Sequence, residues 1–172
     1  PPDRLLSDVV APEAAAAGDN YSFGYSVKTR GDAFHGSWTD SVYLTDNADW
    51  NAAREVWHLA DFRQTRALGF GEGYTVSQTL LLAPSVTGRY LIVRSDTDAR
   101  VGEADESNNA RAKASLVSAQ AADLQFTDIQ TEPSNFSGEE TTVSWTVRNF
   151  GAAVWVGTRS WVDSVYLSRD PT

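Results

Sequence analysis

Eight residues of this chain occur twice. Ser37-Trp38-Thr39-Asp40-Ser41-Val42-Tyr43-Leu44 returns as Ser160-Trp161-Val162-Asp163-Ser164-Val165-Tyr166-Leu167, identical at seven of eight positions and 123 residues downstream. Further upstream the offset is 120. Asp3, Asp8, Gly18, Val27 and Gly31 fall on Asp123, Asp128, Gly138, Val147 and Gly151. A copy at this distance points to domains in series, because solenoid repeats have much shorter periods. In 172 residues that period leaves room for one complete unit, expected over 1–118, and the opening of a second over 119–172. The first has the size of an independent domain. The second, breaking off at Asp170-Pro171-Thr172, is expected to need completion by a neighbouring identical chain or by a longer parent.

Within the unit, apolar residues alternate with polar ones. Tyr21, Phe23, Tyr25 and Val27 form one such series, and Val143, Trp145 and Val147 repeat it in the second copy. Alternation of period two marks half-buried strands. Further strands are expected over Leu5–Val10, Trp38–Thr45, Glu55–Phe62, Tyr74–Ala83, Arg89–Ser95 and Ala110–Val117. Turn formers separate them at Gly18-Asp19-Asn20, Gly31-Asp32, Asp46-Asn47, Gly69–Gly73, Pro84 and Gly102. Seven short strands with regular turn signals predict an all-β, immunoglobulin-like sandwich. Ala14–Ala17 leans helical but is too short to stand alone, so it is read as part of a crossing loop. Only Ser118–Ala122 separates the two units, so consecutive units are expected to abut end to end.

The chain carries a net charge of −9 and contains no cysteine. An acidic surface repels phosphate backbones, which argues against nucleic acid as a partner. Without cysteine there are neither disulfides nor thiolate metal sites. No apolar run reaches the length of a membrane span.

Three stretches resemble a known family. They are the doubled Ser-Trp-x-Asp-Ser-Val-Tyr-Leu strand, the Thr146-Val147-Arg148-Asn149-x-Gly151 strand ending, and the run from Tyr90 to Asp96 continuing through Val101, Glu103, Asp105, Glu106, Asn108 and Asn109. Together they resemble CARDB, the cell adhesion related domain found in bacteria. Trp38, Tyr43, Trp161, Asp163, Tyr166, Asn108 and Asn109 are the positions read as its structural signature. The first copy departs from the pattern, with Lys28-Thr29-Arg30-Gly31 where the second has Arg148-Asn149-Phe150-Gly151. The resemblance implies a bacterial module, secreted or on the cell surface, repeated in tandem, with an adhesive or spacing role. It brings no catalytic residues with it.

Strict alternation puts Trp38, Asp40, Val42 and Leu44 on one face of their strand. A carboxylate among large apolar residues is costly unless paired. Either a bulge turns Asp40 outward, or it has a dedicated partner, for which Arg94 on a neighbouring strand is the natural mate. Oxygen-rich loops raise a second possibility, since Ca²⁺ binds six to eight carboxylate, amide and carbonyl oxygens. Asp96, Asp98, Glu103 and Glu106, with Asp40 at the same end, form one candidate cluster. Asp46, Asp49 and Asn51 form another, near the expected junction between units. The competing reading is that Asp and Asn are ordinary turn residues bonding their own backbone.

Catalysis finds little support. His35 and His58 are the only histidines, and no nucleophile elbow, zinc-binding helix motif or phosphate loop occurs. Arg30-Gly31-Asp32 matches the integrin-binding tripeptide, but the second copy reads Phe150-Gly151-Ala152. The expected function is therefore a non-catalytic structural or adhesive module of a large bacterial extracellular protein. It requires no cofactor, with Ca²⁺ as a possible stiffener. Its partners would be adjacent repeats, neighbouring identical chains, or a cell-surface or matrix ligand. The alternative is a carbohydrate- or peptide-binding accessory module of a secreted enzyme, using exposed aromatics such as Phe34, Trp50 and Trp155.

Overall fold

The computed structural model describes residues 1–154 and 160–170. Trp155 and the Pro171-Thr172 end, both named above, lie outside the described residues. The chain divides into two compact units, 1–120 and 121–172. Among the described residues no helix is long and apolar enough to cross a membrane.

Unit one contains eight strands. They are β1 (Arg4–Val10), β2 (Ala14–Ala16), β3 (Asn20–Thr29), β4 (Phe34–Thr45), β5 (Val56–Leu68), β6 (Gly73–Leu81), β7 (Gly88–Arg94) and β8 (Ala110–Ser118). One sheet runs β1-β3-β6 and the other β2-β8-β7-β4-β5. This is an immunoglobulin-like sandwich. All seven expected strands are present, and β4 and β5 run longer than expected.

Two expectations need correction. Ala14–Ala16 is not loop but strand, pairing parallel with Leu116–Ser118. The chain leaves the first sheet after Val10, passes Pro12, and joins the edge of the second. Three alanines show no alternation, so periodicity could not detect this crossing. The second octapeptide, expected as a strand, has no strand assignment, and Trp161–Asp170 is exposed throughout. A strand persists where a ladder satisfies its backbone groups. The first octapeptide lies in β4, which is paired with β5 on one side and β7 on the other. Among the described residues the second has neither neighbour.

The core fills the space between the sheets of unit one. Leu6, Val9, Tyr21, Phe23, Tyr25 and Val27 come from one sheet, and Trp38, Val42, Leu44, Leu91, Val93 and Val117 from the other. Alternation thus sorted inward from outward residues correctly on β3 and β4.

Unit two contains β9 (Leu124–Thr131) and β10 (Val143–Asn149), paired antiparallel. Its details match β1 and β3 at an offset of 120. Leu6 faces Val27 and Val9 faces Tyr25, as Phe126 faces Val147 and Ile129 faces Trp145. A bulge interrupts both pairs at the same place. In the first, Ser7 Oγ donates to Ser26 O at 3.2 Å, and in the second Thr127 Oγ1 donates to Thr146 O at 3.5 Å. Gly31 explains a glycine common to both copies. A Cβ there would lie 2.4 Å from Pro1 O, and one on Gly151 would lie 2.5 Å from Ala121 O. The Arg30-Gly31-Asp32 tripeptide therefore contains a glycine that the fold itself requires.

Candidate functional site

Asp40 is fully buried. Its Oδ2 accepts from Tyr25 Oη at 2.9 Å and Tyr74 Oη at 2.7 Å, and its Oδ1 accepts from Ser95 Oγ at 2.8 Å. Trp38 Nε1 in turn donates to Tyr74 Oη at 3.0 Å. The dedicated partner expected for this carboxylate is thus a set of hydroxyls from β3, β6 and the end of β7. It is not Arg94. That guanidinium lies on the other face of the sheet, 4.4 Å from the centre of the Trp50 ring. The reason is geometric: Arg94 stands opposite Ser41, whose side chain points away from the core. Burial raises the pKa of Asp40, against the pull of its three hydroxyl donors. Burial also pushes the Tyr25 and Tyr74 phenols up, reinforced by the Asp40 charge.

A second buried polar group adjoins the first. Arg4 opens β1 with a wholly buried side chain. Its Nε and Nη2 donate to Glu103 Oε1, its backbone N–H donates to Glu103 Oε2 at 2.7 Å, and Nη2 lies 3.2 Å from Asp96 Oδ2. Its guanidinium also stacks 4.3 Å from the Trp38 ring centre. Sequence reasoning missed Arg4 entirely, because one cation ahead of an apolar run reads as a solvated strand end. The hydroxyls were half-visible. Tyr rather than Phe at Tyr25 and Tyr74 was the available signal.

The remaining acids of the 95–109 loop are engaged within the protein. Asp96 accepts from the backbone N–H groups of Arg100 and Val101, both at 2.9 Å, and stands at φ 53°. Asp98 accepts from Thr39 N at 2.8 Å and from Arg100. Glu106 accepts from Glu103 N and from Asn109 Nδ2, each at 3.0 Å. Asn108 Nδ2 donates to Asp3 at 2.8 Å. Most of these bonds brace the loop between β7 and β8 internally, while Asp98 ties it to β4 and Asn108 to Asp3, just ahead of β1.

In the loop after β4, Asp46 accepts from Arg54 N and Glu55 N, which lower its pKa. Asp49 accepts from Asn51 N at 2.9 Å and caps the 3-10 turn Trp50–Ala52. Among the described residues, no group of three or more His, Cys, Asp or Glu side chains stands together so as to hold a metal ion.

The exposed face of β4 and β5 carries an aromatic patch. Tyr43 lies 4.6 Å from Trp50 and 5.4 Å from His58, ring centre to ring centre. His58 pairs with Asp61 at 2.7 Å, and Asp61 also accepts from Ser41 Oγ at 2.6 Å. Trp50, one of the aromatics named for carbohydrate or peptide binding, has Arg94 over its ring and Tyr43 tilted against it. Phe34 lies 5.7 Å from Trp38 and packs against the core. His35 sits near the start of β4 in an exposed position.

A single sandwich whose buried charges are closed off by its own side chains defines an immunoglobulin-like all-β module. The CARDB family model matches residues 2–113, and the chain belongs to the CARDB family. No curated protein matches the chain. Similar solved structures include the CARDB domain of a Pyrococcus furiosus protein, described in complex with di-metal ions. That domain is 16% identical, with 67% of this chain and 93% of that chain covered and a TM-score of 0.47. A solution structure of the same domain gives 17%, 67%, 94% and 0.48. A β-glucosidase from Listeria innocua is 18% identical, with 68% of this chain but 16% of the enzyme covered, and a TM-score of 0.40.

Proposed function

We propose that this chain is a non-catalytic, adhesion-related segment of a larger bacterial protein, secreted or on the cell surface, in which CARDB sandwiches follow one another. Membership of a cell-adhesion-related family supports the coarse reading. The serial arrangement rests on one observation above all: the β1–β3 register, bulge included, recurs 120 residues later in β9–β10. The buried carboxylates support a structural role. Asp40 and Glu103 spend their oxygens on core donors and offer none to a substrate.

Surface display tests this reading. A non-adherent bacterium displaying the chain should be retained under flow on polystyrene and on mucin severalfold better than one displaying an unrelated sandwich. The purified chain should turn over neither chromogenic glycosides nor chromogenic esters. Retention equal to the control, or turnover of either substrate class, contradicts the proposal. Repeating the assay in calcium and in chelator isolates the stiffening role of Ca²⁺. That role rests on the oxygen-rich composition of the loops alone, since their carboxylates accept from the protein's own N–H groups, and equal retention in both buffers removes it.

A further inference from the structure

β5 stands at one end of the five-stranded sheet of unit one. Among the described residues this 13-residue strand pairs with β4 on one side and with no strand on the other. Open edges are commonly blunted by a bulge or by charge, because their free N–H and C=O groups template pairing with another chain. Both devices occur here. A bulge leaves Leu59 without a β4 partner, which confines any regular ladder to the residues beyond it. The charges are Asp61 and Arg63, on either side of Phe62.

Asp61 and Arg63 stand opposite Ser41 and Thr39 of β4, on the outer face of the sheet. Asp61 is half-exposed, and its Oδ1 accepts from both Ser41 and His58. Among the described residues its Oδ2 accepts from nothing. Arg63 is exposed and donates from Nη2 to Ser37 Oγ at 3.1 Å, with no carboxylate partner among the described residues. Phe62 points the other way, half-buried at the rim of the core, its ring centre 6.2 Å from those of Phe23 and Tyr25.

This pattern is its own complement. Laid antiparallel on a copy of itself about a two-fold axis at Phe62, β5 sets each Asp61 opposite the other copy's Arg63. Residues directly opposite in antiparallel strands interact, and like charges there are unfavourable. Moving the axis one residue either way keeps the outer faces together but opposes Asp61 to Asp61 or Arg63 to Arg63. Charge therefore favours one register and opposes both of its neighbours.

The geometry points to self-association of this chain through β5, two copies pairing antiparallel about Phe62 so that their five-stranded sheets become one continuous sheet. The occupant of the open edge is a second copy, because a two-fold contact uses the same patch on both partners. Main-chain hydrogen bonds supply the affinity and side chains the register. The ladder covers Ala60–Gln64 of each copy, short enough that the dimer forms and dissociates with concentration. The contact lies within unit one and does not depend on the serial arrangement proposed above.

Sedimentation of the full chain over a range of concentrations should show a reversible dimer. Asp61→Lys places like charges opposite each other at both pairs, and so does Arg63→Glu. Each variant alone should dimerise about tenfold more weakly or worse. An equimolar mixture of the two restores opposite charges at both pairs and should dimerise as the unaltered chain does. Both side chains are exposed, so neither change disturbs the core. A chain that stays monomeric up to millimolar concentration, dimers that neither variant weakens, or a mixture no stronger than its components would each overturn the proposal.

Discussion

Replacing Arg4 with alanine is expected to lower the stability of unit one by about 3–5 kcal/mol, the cost of breaking a buried ion pair from one side. Arg4 is wholly buried between Glu103 and Asp96. Its loss would leave two carboxylates facing each other beneath the Trp38 ring. It would also remove the side-chain half of the tie between the 95–109 loop and β1, leaving the backbone bond from residue 4 to Glu103 and the Asn108–Asp3 bond in place. Against a typical domain stability of about 5–15 kcal/mol, that is enough to unfold a large share of molecules. Urea titration gives the number. The double variant Arg4→Met, Glu103→Gln should lose less than the sum of the singles, because it neutralises one of the two carboxylates left without Arg4, and the other, Asp96, keeps the N–H groups of Arg100 and Val101. An Arg4→Ala effect under about 1 kcal/mol, the size typical of exposed pairs, would place this cluster in solvent.

Asp40→Ala is expected to cost about 3 kcal/mol or more. It strands the hydroxyls of Tyr25, Tyr74 and Ser95 inside the core, and each buried unsatisfied donor costs about 1–3 kcal/mol. Tyr74 keeps one partner, because its oxygen still accepts from Trp38. Adding Tyr25→Phe to the Asp40→Ala background should therefore cost less than Tyr25→Phe alone, with a coupling of about 1–2 kcal/mol. Strictly additive effects would mean that the two side chains do not meet.

Much of this fold was legible because alternation reports which side of a strand meets the core. On β4 the series Trp38, Asp40, Val42, Leu44 identified the buried face, and with it the oddity of a buried carboxylate. How that carboxylate is satisfied was less legible. Its donors come from Tyr25, Tyr74 and Ser95, which are 15, 34 and 55 residues away in sequence, and no local pattern links them. Arg94 was plausible by strand adjacency but points to the opposite face. The turn reading of the acidic loops was local and so could be seen. Asp49, Asp96 and Asp105 each accept from backbone N–H groups two to five residues away, and Asp46 from ones eight and nine residues on, within the same loop. The strand at Ala14–Ala16 was hidden for a different reason: three small residues at a sheet edge carry no periodic signal.

The central claim is that one octapeptide occupies two settings, the middle of a completed sheet in unit one and an uncovered face in unit two. Hydrogen exchange read by mass spectrometry on the intact chain compares them directly. Amides of 38–45, in a strand paired on both sides, should exchange only through global opening of unit one. Amides of 161–168 should exchange within the first seconds of labelling. Equal protection of the two segments, or fast exchange over 38–45, would contradict the account.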